Sequence, residues 1–360
     1  MKKSFFEYLG LADMEKVHSQ FLAWVLSDDC NAIESEGRQC LFKNLFGVDE
    51  QITQIQTERN NIDIFIQTEN NIVVIENKIK SSQHSNQLEK YKKYCRENFP
   101  KSVPHFFFLS LIDEDASDND WHQLSYSTIY SQLNSLKLEK NDSHSSIIKE
   151  YIIFLKRLDE VIKDFNKEVA RYDMVFRDGS KKKQDKKRDD YHGDKKENIW
   201  FIATNQLETI LQKSILSQLN NKLKLNETTI IETHGTAILD NIYLEKNISY
   251  NKDIFLTKLQ IQGSTMKFCF ETEIKGHKEN KITKEIRDSM ETLLLKNPKY
   301  GYLRLNKPKK KSGIWDYISI SKTMSPSYWK MKQDDFVSYV EKEIENGKEL
   351  SKSLEALLKK

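Results

Sequence analysis

Apolar residues near the start of the chain recur three and four positions apart, the spacing of a helix with one buried face. Asp13 can cap this helix at its first turn. The apolar stripe consists of Met14, Val17, Phe21, Trp24 and Val25. A second helix is predicted around residues 37–46, after which the apolar spacing changes to two, which is typical of strands.

Three short strand-like runs follow, over residues 51–58, 61–67 and 72–79. The last two are separated by the turn-type cluster Thr-Glu-Asn-Asn at 68–71, so they are predicted to form a hairpin. The third run begins with four apolar residues, Ile72 to Ile75, without the polar alternation of a half-exposed strand. We therefore expect this strand to be covered on both faces.

A helix and one more strand are predicted after the hairpin. The polar, helix-compatible segment 83–98 ends before Pro100, since a proline disfavours helical geometry in the residue that precedes it. Residues 103–112 contain a second uninterrupted apolar run, and an amphipathic helix is predicted over 146–166. The order helix, strand, strand, strand, helix, strand predicts an α/β domain.

Charged residues dominate the chain from 177 to 197, where apolar residues nearly vanish. We interpret this stretch as a solvated linker or insertion loop, with a basic arm that touches phosphates as the alternative. A helix over 199–225 and the alternating strands beyond it predict an α+β domain built on an antiparallel sheet. The predicted division is a domain over 1–170, a charged linker or loop over 171–198, and the α+β domain over 199–360.

The composition excludes several classes of protein. In 360 residues, 57 Lys and Arg face 54 Asp and Glu, and the net charge of +3 excludes a uniformly basic coat for gripping nucleic acid. The four cysteines show no Cys-x-x-Cys pair, so neither a disulfide framework nor a structural zinc site is expected. Every apolar run falls short of the ~20 residues that a membrane span needs. We expect a folded cytoplasmic protein.

The hairpin carries the residues with the clearest chemistry. The apolar run of its second strand continues directly into Glu76, Asn77 and Lys78, and residues two apart in a strand share a face. Asp63 lies in the first strand of the hairpin, 13 positions before Glu76, close enough to place a second carboxylate beside the first. Two neighbouring carboxylates without His or Cys favour a hard divalent cation, Mg²⁺ or Mn²⁺.

Such a site is typical of phosphodiester hydrolysis. A cation held by two carboxylates with open positions can take a phosphate oxygen and a water, and it lowers the pKa of that water. Lys78 could orient or deprotonate the water, or neutralise the charge that develops on the phosphate. The alternative for a Glu-x-Lys beside an Asp is an ordinary pair of charges on a strand surface.

These residues resemble the signature of the PD-(D/E)XK nuclease superfamily. The resemblance rests on three motifs: Asp63 within Asn-Ile-Asp-Ile, Glu76 and Lys78 within Ile-Glu-Asn-Lys over 75–78, and Gln87 and Tyr91 with the spacing Gln-x-x-x-Tyr. Segments 15–24 and 121–126 are similar to a bacterial subfamily within it. The resemblance implies a restriction-endonuclease-like αβββαβ core over roughly residues 10–165. One departure is Ile62, which stands where the family name has a proline.

The resemblance also implies roles for individual residues. Asp63 and Glu76 would hold the metal with the backbone carbonyl of Asn77, Glu15 would add a further carboxylate, and Lys78 would be the catalytic lysine. Gln87 and Tyr91 would steady the active site or the substrate backbone, Gln87 as part of the catalytic set. For Glu15 the alternative is a favourable interaction with the helix dipole, and for Tyr91 it is a place in the core.

Basic residues around this site are candidates for contact with nucleic acid. Lys80 and Lys93 are the main candidates, and Tyr91 joins them as a substrate contact. Others nearby are Lys90, Lys92 and Arg96. A lysine cluster at 307–311, framed by Tyr300, Tyr302 and Trp315, is either a phosphate-tracking surface or a solvated turn.

The sequence thus predicts a Mg²⁺- or Mn²⁺-dependent nuclease whose substrate is nucleic acid, with DNA favoured over RNA as the identity of that substrate. No membrane partner is expected. The subfamily resemblance implies bacterial defence against foreign DNA. The C-terminal domain would serve recognition, regulation or assembly, as a homo-oligomer or with a partner protein. The alternatives are a non-catalytic module that keeps the nuclease fold for binding, and an enzyme that its second domain holds inactive.

Overall fold

The computed structural model describes residues 3–79, 87–112, 114, 116, 118–140, 142–176, 186–225, 229–234, 237–250, 253–272, 284–296, 304–305 and 317–359. Contacts between residues divide the chain into two compact units. Unit 1 comprises Met1–Glu168 and Met174–Ser214, and unit 2 comprises Val169–Asp173 and Ile215–Lys360.

Helices and strands alternate in the first part of the chain in the predicted order. In chain order the elements are α1 (Phe5–Leu9), α2 (Glu15–Leu26), α3 (Ser35–Phe46), β1 (Gln54–Arg59), β2 (Ile62–Gln67), β3 (Asn71–Lys78), α4 (Gln87–Asn98), β4 (Val103–Ser110), β5 (Trp121–Ser125), α5 (Tyr126–Asn134), α6 (Ser143–Lys167), a 3-10 helix (Val169–Val175), α7 (Lys196–Thr204) and α8 (Glu208–Lys222).

The sheet of unit 1 has five strands among the described residues, in the order β1-β2-β3-β4-β5. The first three strands are antiparallel neighbours, and β4 and β5 run parallel to β3. Every residue of β3 after Asn71 is buried, which explains why its sequence lacks polar alternation. Leu88, Tyr91 and Cys95 of α4 join the apolar cluster on one face, and α2 contacts β1, β2 and β3.

The predicted fold class is confirmed, because the αβββαβ order and the α/β sheet are present in unit 1. Strand β5 and helices α1 and α5 are among the elements that were not predicted. Strand β5 is short and acquires its structure by parallel pairing with β4, from Phe106 opposite Trp121 to Ser110 opposite Ser125. Helices α1 and α5 follow Ser4 and Ser125, whose hydroxyls cap them.

Two predictions about the middle of the chain were wrong in detail. The single helix predicted over 199–225 is two helices, α7 and α8. The break follows Asn205, whose side chain donates to the carbonyl of Phe201, and Gln206 has a positive φ of 53°. The predicted linker over 171–198 starts too early, because Tyr172 and Phe176 are fully buried, and it ends too late, because α7 begins at Lys196.

The boundary between the units also lies elsewhere than the predicted boundary between domains. Residues 199–214, which the sequence assigned to the C-terminal domain, belong to unit 1. The assigned functions of the two parts remain predictions.

Unit 2 contains a six-stranded sheet among the described residues, in the order β10-β11-β9-β8-β7-β6, with antiparallel neighbours throughout. Its further elements in chain order are β6 (Thr229–His234), β7 (Ala237–Tyr250), β8 (Asp253–Gln262), β9 (Thr265–Thr272), α9 (Lys284–Lys296), β10 (Arg304–Leu305), β11 (Tyr317–Thr323), a 3-10 helix (Tyr328–Lys330) and α10 (Gln333–Leu358). This architecture confirms the predicted C-terminal α+β part.

Helix α10 packs closely on β7 and β8 at Gly347. A Cβ at this position would lie 2.6 Å from Leu244 Cδ1, so a larger residue here would require the Leu244 side chain to move. In the described part of the chain, no helix combines the length and apolar character that crossing a membrane requires.

Candidate active site

Asp63 and Glu76 lie opposite each other at one end of the sheet in unit 1. The pairing of β2 with β3 matches Ile64 with Ile75, and the same register brings Asp63 opposite Glu76 at the next position. Residues directly opposite in antiparallel strands share a face, with Cβ atoms roughly 4.5–5.5 Å apart. The hairpin itself therefore brings the two carboxylates together, as predicted.

Asp63 is fixed by a backbone group of the opposite strand. Its Oδ2 accepts a hydrogen bond of 2.7 Å from the N–H of Asn77. The N–H and C=O of one strand residue point toward the same neighbouring strand. The carbonyl of Asn77 therefore faces the strand that carries Asp63, where it could serve as a further oxygen ligand.

Glu76 and Lys78 form a buried ion pair. Glu76 is 0% exposed and Lys78 is 7% exposed. Glu76 Oε1 contacts Lys78 Nζ, and Oε2 has no hydrogen-bond partner among the described residues. An ionised carboxylate with a bare buried oxygen is costly, so this atom marks a place where another positive group fits.

The electrostatics of the pair follow from burial. Burial raises the pKa of Asp63 and of Glu76 above their ordinary values, and repulsion between the two carboxylates raises that of Glu76 further. Burial opposes the charge on Lys78, but Glu76, Glu15 and Asp63 outweigh it and leave the pKa of Lys78 raised. Lys78 is therefore protonated at neutral pH in this arrangement.

Glu15 reaches the same place from the opposite side of the sheet. It is the first residue of α2, and its Oε1 accepts a hydrogen bond of 2.8 Å from the N–H of Ile79, just beyond β3. Its charge acts on Asp63 and Glu76. The structure thus brings Glu15 to the predicted site.

These residues fit a divalent cation in an open site. Among the described residues, no three His, Cys, Asp or Glu side chains are grouped so as to hold a metal ion. Mg²⁺ usually binds one or two carboxylates and fills its other positions with water and substrate phosphate. The repelling pair Asp63 and Glu76, with a bare oxygen on Glu76, matches that requirement.

Gln87 and Tyr91 connect α4 to the strand that carries Asp63. Gln87 Nε2 donates a hydrogen bond of 2.7 Å to the hydroxyl of Tyr91, which in turn donates to the carbonyl of Asn61. Burial and then the charge of Glu76 raise the pKa of Tyr91 well above its ordinary value. Tyr91 is 5% exposed, a position better suited to steadying the site than to contacting substrate.

The basic residues predicted to contact substrate differ in availability. Lys93 is exposed and lies 3.7 Å from Glu97, a weak surface pair. Lys92 forms ion pairs with Asp118, Asp120 and Glu89, so its charge is already compensated. Lys80 and the lysine cluster at 307–311 lie outside the described residues.

Two residues to which the sequence analysis gave no role, although both lie in the segments similar to the bacterial subfamily, surround the side chain of Asn77. Tyr126 and Ser19 hydrogen-bond to it from α5 and α2. Ser19 lies four positions after Glu15, a helical spacing that could have indicated it, whereas Tyr126 is brought there only by the tertiary fold. His18, also near Glu15 in sequence, bonds to Tyr151 and has its pKa lowered to about 4 by burial.

Comparison with protein families agrees with this geometry. Residues 3–229 match the model of a family described as the PD-(D/E)XK nuclease superfamily. The matched region includes the whole hairpin, α4 and the elements up to the start of β6. The chain belongs to the PD-(D/E)XK nuclease superfamily. Neither a curated protein sequence nor a solved structure matches it significantly.

Proposed function

We propose that this protein is a divalent-metal-dependent nuclease that hydrolyses phosphodiester bonds of DNA at the Asp63–Glu76–Lys78 site. The observation that carries the proposal is the facing pair of carboxylates, with Asp63 half-buried and Glu76 fully buried, beside a protonated lysine. Such a pair has raised pKa values and a bare oxygen, so a bound cation would relieve its repulsion.

In this mechanism Asp63, Glu76 and the backbone carbonyl of Asn77 would hold Mg²⁺ or Mn²⁺, and Glu15 would place a carboxylate beside them. When bound, such an ion would supply Lewis-acid activation of water and of the scissile phosphate. Lys78, which is protonated, orients the water and neutralises charge on the phosphate. Gln87 and Tyr91 hold α4 against β2 and so keep the carboxylates in place.

Substrate binding would involve exposed cations near the site, with Lys80 and Lys93 as the candidates. The preference for DNA over RNA, a role in bacterial defence and a place in the cytoplasm rest on the family resemblance. Unit 2 would recognise substrate, regulate the nuclease or assemble with a second copy or a partner protein.

The test is cleavage by the full-length protein. Supercoiled plasmid, linear DNA and RNA are incubated with Mg²⁺, with Mn²⁺ or with a chelator. We expect metal-dependent cutting of DNA that Lys78→Met abolishes. The matched control is Lys258→Met, which removes another buried, ion-paired lysine, 2.9 Å from Glu271 in the sheet of unit 2. Binding of DNA without cutting in any metal would instead support the non-catalytic alternative.

A further inference from the structure

Asn77 lies between two residues of the proposed active site but faces away from them. Successive strand residues point to opposite faces of a sheet, so Glu76 and Lys78 share one face and the side chain of Asn77 enters the other. Asn77 is 0% exposed. A buried amide must find hydrogen-bond partners, and the partners of Asn77 show what it does.

Three hydrogen bonds satisfy this amide. Its Nδ2 donates to the backbone carbonyl of Glu15 at 2.9 Å and to Ser19 Oγ at 3.0 Å. Its Oδ1 accepts from the hydroxyl of Tyr126 at 2.9 Å. Ser19 Oγ donates onward to the same carbonyl of Glu15 at 3.0 Å. The donors and acceptors agree throughout, which fixes the orientation of the amide.

The bonds join the first turn of α2 to the end of β3. Glu15 is held at its backbone by Asn77, and at its carboxylate by the N–H of Ile79 at 2.8 Å. Asn77 also holds Asp63 through its backbone N–H at 2.7 Å. One residue therefore contacts both Asp63, a proposed ligand of the cation, and Glu15, the carboxylate next to the Asp63–Glu76 pair.

We propose that the side chain of Asn77, oriented by Ser19 and Tyr126, is a positioning residue that sets the Glu15 carboxylate against the Asp63–Glu76 pair. This inference rests on the proposed function for its link to cation binding. An aspartate at this position would keep the bond from Tyr126 but lose both donors to Glu15 and Ser19. Groups behind the ligands of a metal site typically change affinity by about 10–100-fold when they are lost.

The first readout needs no metal. In the full-length protein, hydrogen exchange of the Ile79 amide reports its bond to Glu15. The principal variant is Asn77→Asp. Ser19→Ala and Tyr126→Phe are milder changes that test the same network if Asn77→Asp does not fold. We expect exchange at Ile79 to rise about tenfold or more in each variant. The matched controls are Ser145→Ala, which removes an equally buried hydroxyl bonded to Glu139, and Tyr328→Phe, which removes an equally buried tyrosine hydroxyl in unit 2. In these controls exchange at Ile79 should not change.

The second readout is Mn²⁺ affinity by calorimetry. We expect it to fall by about 10–100-fold in the Asn77, Ser19 and Tyr126 variants and to stay unchanged in the two controls. If Ile79 exchange and Mn²⁺ affinity in the variants match those of the controls, the positioning role is overturned and the residues are merely structural. If the parent protein neither binds Mn²⁺ nor cuts DNA, the proposed function fails. Exchange at Ile79 still tests the positioning role in that case: raised exchange in the variants supports it and unchanged exchange overturns it.

Discussion

The backbone N–H of Asn77 donates a hydrogen bond of 2.7 Å to Asp63 Oδ2, across the ends of β3 and β2. This bond keeps the Asp63 carboxylate beside Glu76, although burial raises the pKa of both groups and their charges repel. An arrangement that holds like charges together destabilises the fold unless something positive joins it. Stability and activity should therefore respond in opposite directions when Asp63 is neutralised, whereas neutralising Glu76 would also remove the ion-pair partner of Lys78.

Asp63→Asn tests that opposition. Asparagine keeps an oxygen that can accept from Asn77 but removes the charge. Because the folded pKa of Asp63 is raised, its contribution to stability is full at pH values below 3.8, its ordinary pKa, and is lost as the pH rises through the folded value. At pH 8 we expect the variant to be more stable by on the order of 2 kcal/mol, with nuclease activity reduced by at least about 100-fold.

The measurements are thermal unfolding at pH 5 and pH 8 and plasmid cleavage at pH 8. Glu50→Gln is the contrasting control. Hydrogen bonds from Thr68 and Asn70 lower the pKa of Glu50 to about 2, so its loss should destabilise the protein and leave cleavage intact. An Asp63→Asn protein that is less stable at pH 8 and still cuts would contradict the assignment.

The affinity for cations should depend on pH. The raised pKa values of Asp63 and Glu76 mean that part of the pair is protonated in weakly acidic solution, and a cation must displace those protons. We expect Mn²⁺ affinity to rise between pH 5.5 and 7.5. Calorimetry in buffers of different ionisation enthalpy measures the released protons directly.

Glu76→Gln should remove most of that proton release because the most buried carboxylate no longer titrates. Lys258→Met, in unit 2, should leave both the affinity and the proton release unchanged. Cation binding that is independent of pH over this range would show that Asp63 and Glu76 are not the ligands.

The part of the site that was predictable from the sequence is the local part. Asp63 and Glu76 belong to neighbouring strands of one hairpin, so the turn at 68–71 and the period of two determine that they meet. The buried character of β3 was likewise visible in its unbroken apolar run. The residues that determine the pairing of β2 with β3 and its register all lie within about 15 positions of one another in the sequence.

Features that depend on distant parts of the chain were not predictable in this way. Tyr126 reaches Asn77 only because β5 pairs in parallel with β4. No local sequence pattern predicts this pairing of strands. The compensation of Lys92 depends on Asp118 and Asp120, which follow β4. The charged stretch before residue 199 suggested a domain boundary there. Phe201 is nevertheless buried within unit 1, so the boundary between the units lies further along the chain.

Two adjacent lysines on α4 should affect DNA binding differently. Lys93 is 69% exposed at its side chain and only weakly paired, whereas Lys92 is bound by three carboxylates. We expect Lys93→Ala to weaken DNA binding severalfold for all sequences and to reduce the slope of log affinity against log salt by about 1. Lys92→Ala should leave that slope unchanged. Equal slopes for the two variants, measured by titration at several salt concentrations, would remove Lys93 from the interface.

Unit 2 contains a buried acid that should make it sensitive to pH. Asp240, in β7, is 0% exposed and accepts a hydrogen bond of 3.1 Å from Asn220 Nδ2. Its Oδ2 and Asn220 Oδ1 have no hydrogen-bond partners among the described residues. Burial raises the pKa of Asp240 from 3.8 to about 7.

The raised pKa gives the sign of the effect. The contribution of Asp240 to stability is full below pH 3.8 and is lost as the pH rises to about 7, at a total cost of about 4 kcal/mol. In the Asp240→Asn variant the side chain no longer titrates. Its new amide N–H can donate to Asn220 Oδ1, which has no hydrogen-bond partner among the described residues. Above pH 7 we expect it to slow hydrogen exchange in unit 2, with exchange in unit 1 and DNA cleavage unchanged. After correction for the intrinsic pH dependence of exchange, faster exchange of the variant at pH 8 would contradict this account of Asp240.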